Sequence, residues 1–462
     1  MEMQENRHAE LVSASVNIEV PYELPEGWKW VRLGDVCKFE NGYAFKSDKF
    51  TTSGIPVIRI TNIKDNEIDL DNCVYTSETE IEERFIVKTG DLLIAMSGAT
   101  TGKNGVYLYD KTVYLNQRVG NIKVINPNIL NDKYRNFYIQ SKEQEILKNA
   151  YGGAQPNISS NKICEMLFPL PPTLTEQKRI VNRIETMFAK LDQAQEKAQS
   201  VLDSFETRKA AILHKAFTGQ LTSNWRKQNN PEESSEYLDK IKDKVEIRLD
   251  FKYWNNPNLP DSWCESTIGN LLYFAGRVGW KGLKAEEYTT EGPILLSVYN
   301  LNDGDEVSFN RINHITNERY DESPEIMVRK NDILLTKDGA GIGKLGYIKE
   351  LPEKATINSS LLLIRPGDVA NYKFIYYLLS GPALQNIVKE RITGSATPHL
   401  FQRDIKEFVL PVPSLLEQQE IVRILDTVLE KESRSKEAAQ TVLDQIALLK
   451  KSILARAFRG EL

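Results

Sequence analysis

Two loop segments, early in each half of the chain, mix amides, cations and aromatics in a pattern suited to polar recognition. The first holds Tyr43, Lys46 and Ser47; the second holds Arg277, Trp280, Lys281 and Lys284. Further along, Asn116, Gln117 and Arg118 correspond to Asn358, Ser359 and Ser360. Gln155, Asn157, Ser159, Ser160 and Asn161 correspond to a stretch with His399, Gln402 and Arg403. Lys103 and Lys344 each follow a glycine turn. Asn and Gln can pair bidentately with an adenine edge, and Arg or Lys with guanine. Lys, Ser and Thr suit phosphates. Each loop alone fits solvated surface better. Their recurrence at corresponding positions makes a nucleic-acid-facing reading equally good.

The remaining motifs argue against catalysis. Gly98-Ala-Thr-Thr-Gly102-Lys103 superficially resembles a phosphate-binding loop. It has three residues between the glycines where that motif needs four, and Asn104 stands where Ser or Thr should. Gly339 to Lys344 departs in the same way, with Leu345 following. Both read as tight turns after buried strands. No Gly-x-Ser-x-Gly elbow, His-Glu-x-x-His helix or Asn/Asp-Pro-Pro-aromatic methyltransferase sequence occurs. Cys37, Cys73, Cys164 and Cys264 are far apart, which excludes a zinc ribbon or a disulfide scaffold and fits a reducing compartment. The four histidines, His8, His214, His314 and His399, have no metal-ligand spacing. The reading is non-catalytic and metal-free.

The elements that must position these loops occur twice. Residues 176–221 align without a gap with 417–462, and 19 of 46 pairs are identical. Leu24-Pro-Glu-Gly-Trp28 answers Leu259-Pro-Asp-Ser-Trp263, and Asn62 answers Asn300. The offset drifts between 235 and 242, as when only loops gain or lose residues. The order is globular segment, helix, globular segment, helix. The helical copies agree closely, whereas the globular copies share mainly Gly, Pro, Asn and apolar strands. A common frame with different surfaces suggests related sites with different targets.

Each helical copy starts at a capping box behind a proline, Thr173-x-x-Glu176 after Pro172 and Ser414-x-x-Glu417 after Pro413. Gly219 and Gly460 stand where a C-terminal cap belongs. At 1.5 Å per residue each helix spans about 60 Å. In the first copy, Ile180, Ile184, Met187, Leu191, Val201, Phe205 and Ile212 lie on a heptad seam broken by Arg208. The second seam holds Ile421, Leu425, Val428, Val442, Ile446, Leu449 and Ile453, with Glu432 and Ser435 at its weak middle. A lone helix would leave its seam in water. The two copies are expected to pair antiparallel within one chain, with pairing to another chain as the alternative. Such a pair has an approximate two-fold axis and holds the globular segments a fixed distance apart, as a reader of two half-sites needs.

The expected fold class is α/β (α+β): two similar mixed α/β domains separated by two long antiparallel helices in an intramolecular, pseudo-two-fold coiled coil. The domains are placed at 22–172 and 259–413, the helices at 173–222 and 414–462. A tail covers 1–21, and a linker with some helix around 232–244 covers 223–258. Tyr134–Asn149 and Tyr372–Arg391 look helical, the latter interrupted by Gly381-Pro382. The net charge of −5 over 462 residues excludes a uniformly basic coat. Residues 22–168 carry 18 basic and 19 acidic residues, and 259–411 carry 17 and 20. Counterion release therefore provides little general DNA affinity, and any basic face is local. No secretory signal or membrane-length apolar run is visible, which gives a cytoplasmic expectation.

In this order, twice, the motifs resemble a specificity subunit of a type I restriction-modification system. The resemblance rests on Leu-Pro-x-x-Trp opening each half, the Asn41 to Lys46 loop, and Gly90-Asp91-Leu-Leu-Ile with Ser97-Gly98. It rests also on Glu-Gln-x-x-Ile-Val at 176–181 and 417–422 and on Ala-Phe-x-Gly-x-Leu closing each helix. One departure is Asn331-Asp332 where the first half has Gly90-Asp91, expected only to alter a turn. The resemblance implies two target recognition domains, each reading half of a split, asymmetric double-stranded DNA site. It implies that the helices dock two modification (methyltransferase) subunits, joined by restriction (translocase/nuclease) subunits. S-adenosylmethionine, ATP and Mg2+ would belong to those partners, as would adenine methylation and cleavage. The runner-up is a coiled-coil scaffold or adaptor whose globular domains bind protein.

Overall fold

A computed structural model describes residues 20–64, 66–77, 81–151, 156–230, 236–237, 239, 259–277, 283–301, 305–339, 341–393 and 399–462, without the side chains of 391–393 and 404. The chain divides into two compact units: Met1–Gln199 with Gln440–Leu462, and Ser200–Ala439. Each long helix contributes to both. The first runs Leu174–Phe217 and the second Leu415–Phe458, each 44 residues.

In unit 1 a six-stranded sheet has the order Cys37–Asn41, Val119–Val124, Leu92–Ala95, Asn104–Val106, Asn66–Ile68, Ile63–Lys64. Leu92, Leu93, Ile94 and Ala95 are all buried, as an unalternating apolar run requires of a strand covered on both faces. A four-stranded sheet orders Val74–Thr76, Ile55–Ile58, Val113–Leu115 and Ile86–Val87, with a parallel central pair. Lys29–Arg32 pairs with Leu167–Leu170, bringing the start of the domain back to its end.

Unit 2 repeats this plan. One sheet orders Tyr273–Gly276, Leu361–Arg365, Ile333–Thr336 and Leu345–Tyr347. A second holds Asn313–His314, Thr289–Leu296 and Ala355–Ile357, again with a parallel pair. Cys264–Thr267 pairs with Val409–Val412. The segment at Tyr372 is two helices, Tyr372–Ser380 and Pro382–Thr393, because proline starts a helix but cannot sit inside one. In unit 1 its counterpart is likewise split, into Asp132–Ser141 and Glu143–Ala150. Ser223–Asn229 is a short helix. Most of the helix expected around 232–244 lies outside the described residues.

The long helices run antiparallel in each unit. In unit 1 Lys450 Nζ meets Asp192 Oδ1 at 2.6 Å, and Arg179 donates to the Leu462 carbonyl at 2.7 Å. In unit 2 Arg208 Nε meets Glu432 Oε2 at 2.8 Å, and the Lys436 ammonium lies 4.4 Å from the Phe205 ring centroid. The earlier residue of one helix always meets the later residue of the other. Ile180, Ile184, Ile421, Leu425 and Ile446 are buried, and Met187, Leu191, Val201, Phe205, Ile212, Val428 and Ile453 are half-buried. Two seam positions are corrected: Val442 is 38% exposed and Leu449 is 49% exposed. A straight helix drifts about 20° per heptad from a 3.5 repeat, so the facing positions move by one residue to 443 and 450. Leu443 is half-buried, as is Lys450, whose ammonium lies over the Phe188 ring, 5.7 Å from the centroid.

The helix ends close onto the domain openings. In unit 1 a Cβ added at Gly460, where φ is +74°, would stand 2.2 Å from Pro25 Cγ. In unit 2 the same construction at Gly219, φ +72°, meets Pro260 Cγ at 2.4 Å. Phe458 packs edge-on against Tyr134 and Tyr138, and Phe217 against Phe374.

Candidate nucleic-acid interface

In unit 1 four loops are laced together by backbone hydrogen bonds. Tyr43 N donates to the Leu115 carbonyl at 2.7 Å, and Gln117 N donates back to the Tyr43 carbonyl at 2.8 Å. Asn116 N donates to the Ile58 carbonyl, which ties the loop to the parallel strand pair. Met96 N donates to the Arg118 carbonyl at 3.0 Å, and Ile158 N to the Met96 carbonyl at 2.9 Å. Ser97 and Asn157 form a bridge. The turn through Gly98 (φ +79°) and Gly102 (φ +88°) returns the chain so that Ala95 N meets the Lys103 carbonyl. Tyr43, Lys103, Asn116, Gln117, Arg118 and Asn157 are thus brought onto one connected loop cluster. Gln117, Arg118 and Asn157 are exposed, and Tyr43 is held edge-on by Phe45 and Phe85. Lys46 and Ser47 start an exposed single turn beside it. Ser160 opens a short helix capped by the Ser159 hydroxyl.

Unit 2 repeats the lacing with other side chains. Asn358 N donates to the Leu296 carbonyl, Lys337 N to the Ser360 carbonyl, and Leu400 N to the Lys337 carbonyl, all at 2.9 Å. Asp338 and His399 form the bridge that Ser97 and Asn157 form in unit 1. The loops enclose a cleft of about 420 Å³ lined by Ser297, Tyr299, Asp338, Lys344, Asn358 and Ser360, among others. Ser359, Lys284, Gln402 and Arg403 are exposed. A Cβ at Gly276 would lie 3.1 Å from Gln402 Nε2, so Gln402 sits over the end of strand Tyr273–Gly276.

Arg277 is corrected from contact to scaffold. It is 4% exposed, and its guanidinium donates to the Ile357 carbonyl (3.0 Å) and to Thr356 Oγ1 (3.2 Å). Burial pushes its pKa down. Gln155, Trp280 and Lys281 lie outside the described residues.

Four residues escaped the sequence reading: Arg59, Ser297, Tyr299 and Asp338. Arg59 and Ser297 follow the buried central strands of their units. Arg59 N donates to Asn62 Oδ1 at 2.9 Å, and Ser297 N to Asn300 Oδ1 at 2.8 Å. Asn62 and Asn300 were already matched by the repeat. The divergent residues before them were the available signal, because an invariant turn carrying variable side chains is what a recognition loop looks like. Tyr299 is 75% exposed. Burial pushes the Asp338 carboxyl up, but hydrogen bonds and charge from Lys337 and His399 outweigh it and hold the pKa below the usual carboxylate range. Among the described residues no cluster of His, Cys, Asp and Glu could hold a metal. No described helix is long and apolar enough to cross a membrane.

The model of the type I restriction modification DNA specificity domain matches residues 25–202 and 284–443. The chain is 29% identical over 457 residues to the type I restriction enzyme EcoBI specificity subunit of Escherichia coli, covering 96% of this chain and 88% of that protein. It is 23% identical to the EcoKI specificity subunit of Escherichia coli (strain K12), covering 95% and 90%. Two solved structures share the fold, both at 19% identity and over 96% of this chain and all of theirs. One comes from a study of complex assembly and conformational transition of the type I R-M system, with a TM-score of 0.70. The other is the HsdS subunit from Thermoanaerobacter tengcongensis, with a TM-score of 0.60.

Proposed function

The chain belongs to the type I restriction-modification DNA specificity family, and from that premise we propose that it is the non-catalytic subunit that selects the DNA sequence for a larger complex. Each globular domain reads one half of a split, asymmetric double-stranded target, and the helix pair fixes the spacing and docks two methyltransferase subunits. The observation that carries this reading is the loop cluster built twice on one backbone frame. In one copy it bears Arg59, Gln117, Arg118 and Asn157, in the other Ser297, Ser359, Ser360 and His399. A shared scaffold with unlike polar tips suits two half-sites of unlike sequence. A scaffold that merely binds protein gives no reason for unlike polar side chains on one repeated loop frame.

Domains at 22–172 and 259–413 read the DNA, and helices at 173–222 and 414–462 carry the docking surface. Restriction subunits complete the nuclease. S-adenosylmethionine, ATP and Mg2+ are bound by partners, and the complex works in the cytoplasm. The near-neutral domains bind nonspecific DNA weakly, because few phosphate contacts release few counterions.

The test uses the chain assembled with its methyltransferase partner on duplexes carrying the split site. Changing the spacer by one base pair abolishes specific binding and leaves nonspecific binding intact; indifference to spacer length defeats the reading. Exchanging residues 22–172 for those of a relative changes one half-site, and a change in both defeats the domain assignment.

A further inference from the structure

The loop cluster of unit 2 has a chemistry that the matching cluster of unit 1 lacks. Where unit 1 bridges Ser97 to Asn157, unit 2 bridges Asp338 to His399. Asp338 is held from two sides. Lys337 Nζ lies 2.9 Å from Oδ2, and His399 Nδ1 is hydrogen-bonded to Oδ1. The His399 ring is itself braced edge-on by Phe401, 4.7 Å between centroids. A carboxylate has about four lone-pair sites, so two braces leave acceptor capacity. The side chain remains 35% exposed and lines the cleft with Lys344, Asn358 and Tyr299.

A carboxylate beside a polyanion is a costly placement unless its charge is offset and its acceptor is used. Lys337 provides the offset, His399 holds the carboxylate by a hydrogen bond, and an exocyclic amine provides the use. An ionised carboxylate accepts and cannot donate. In the major groove adenine presents its N6 amine beside the N7 acceptor, which would repel the second carboxylate oxygen. Cytosine presents its N4 amine without a neighbouring acceptor on the same base, and its partner guanine presents O6 and N7, acceptors suited to a lysine. We infer that Asp338 accepts a hydrogen bond from cytosine N4 and so specifies a C·G pair in the half-site read by unit 2, with Lys344 placed to donate to the guanine. Lys337 and His399 are positioning residues that hold the carboxylate. This rests on the reading that unit 2 faces DNA, and it adds which residue discriminates and which base it requires.

The test is methylation by the assembled complex of duplexes randomised across the target, with the methylated sequences read out. The half belonging to unit 2 is assigned first by exchanging residues 259–413. Wild type requires a C·G pair at one position of that half. Asp338→Asn, which can both donate and accept, lowers the preference for that pair on the order of 10- to 100-fold and moves it towards adenine. Asp338→Ala removes the preference there. The half read by unit 1 is unchanged in both variants, which also reports that the subunit is folded and assembled. The inference is overturned if that half-site has no C·G pair, if both variants keep the wild-type preference, or if both halves are lost together, which would make Asp338 part of the scaffold. A wild-type complex with no split-site preference brings down the DNA-reading function itself, and this inference with it.

Discussion

The two units hold their frame alike and their edges differently. In unit 1 the Gln177 side chain accepts from Asn131 N, Lys133 pairs with Glu185, and Tyr134 packs on Phe458. In unit 2 Gln418 accepts from Asn371 N, Lys373 pairs with Asp426, and Phe374 packs on Phe217. Each contact has a counterpart of the same kind at the matching position. At the loop tips the correspondence stops: Arg59 faces Ser297 across the repeat, Ser97 faces Asp338, Asn157 faces His399. The contacts between domain and helix are thus made in the same way within each unit. The tips make none of these domain-to-helix contacts, so their side chains are free to differ.

One framework contact breaks the likeness, and its removal has the largest expected effect. Glu417 is 1% exposed and receives Thr222 Oγ1 at 2.6 Å, Trp263 Nε1 at 2.9 Å and the Arg226 guanidinium. Its counterpart Glu176 pairs, among the described residues, with Arg179 at 2.8 Å, and that arginine is half exposed. Glu417→Ala removes the counter-charge of a largely buried arginine and the acceptor of two further donors, which costs about 3–5 kcal/mol. Glu176→Ala loses an exposed pair at the first turn of a helix, which costs at most about 1 kcal/mol. Denaturant unfolding of the two variants measures the contrast. Equal losses would show that the buried cluster of unit 2 contributes nothing beyond a surface ion pair.

The closing glycines sharpen the likeness instead. Gly460→Ala and Gly219→Ala each force a Cβ into a proline ring at positive φ, for about 1–3 kcal/mol. Similar drops in melting temperature are expected for both. A loss confined to one would mean that only one helix end is seated on its domain opening.

Arg208 is a smaller case and shows what the sequence could and could not reveal. It stood out as the residue that broke an apolar seam, and Glu432 stood in the weak middle of the other. Both facts were legible residue by residue. Their 2.8 Å pairing depends on antiparallel register, which two near-identical helices do not specify alone. Likewise, capping boxes and closing glycines showed where the helices begin and end. That Gly219 meets Pro260 and Gly460 meets Pro25 is a tertiary fact with no local signal. Arg277 looked like a surface cation because nothing local announces the Ile357 carbonyl that buries it. Arg208→Leu leaves Glu432 without this partner and costs about 1 kcal/mol; adding Glu432→Leu restores that or more, because an apolar pair fits an apolar seam. A double variant no better than the single one would argue against the observed register.

The smallest effect concerns the turn where the halves differ in sequence and not in shape. Gly90 has φ +92° and Asn331 φ +70°, and each precedes an aspartate that accepts from the backbone N three residues earlier. Gly90 N donates to the Tyr107 carbonyl and Asn331 N to the Ile348 carbonyl, both at 2.7 Å. Asparagine tolerates the left-handed region better than other residues with a Cβ, so the substitution between the halves keeps the turn. A Cβ at Gly90 would meet nothing within 4 Å. Gly90→Asn therefore costs well under about 1 kcal/mol, and Asn331→Gly falls in the same range, through the added freedom of the unfolded chain. Gly90→Val, a β-branched residue at positive φ, costs clearly more. The ordering Val above Asn at position 90 reports on backbone conformation, since a Cβ there meets nothing within 4 Å. Equal losses for Asn and Val would mean that the two turns are not held in the same left-handed conformation.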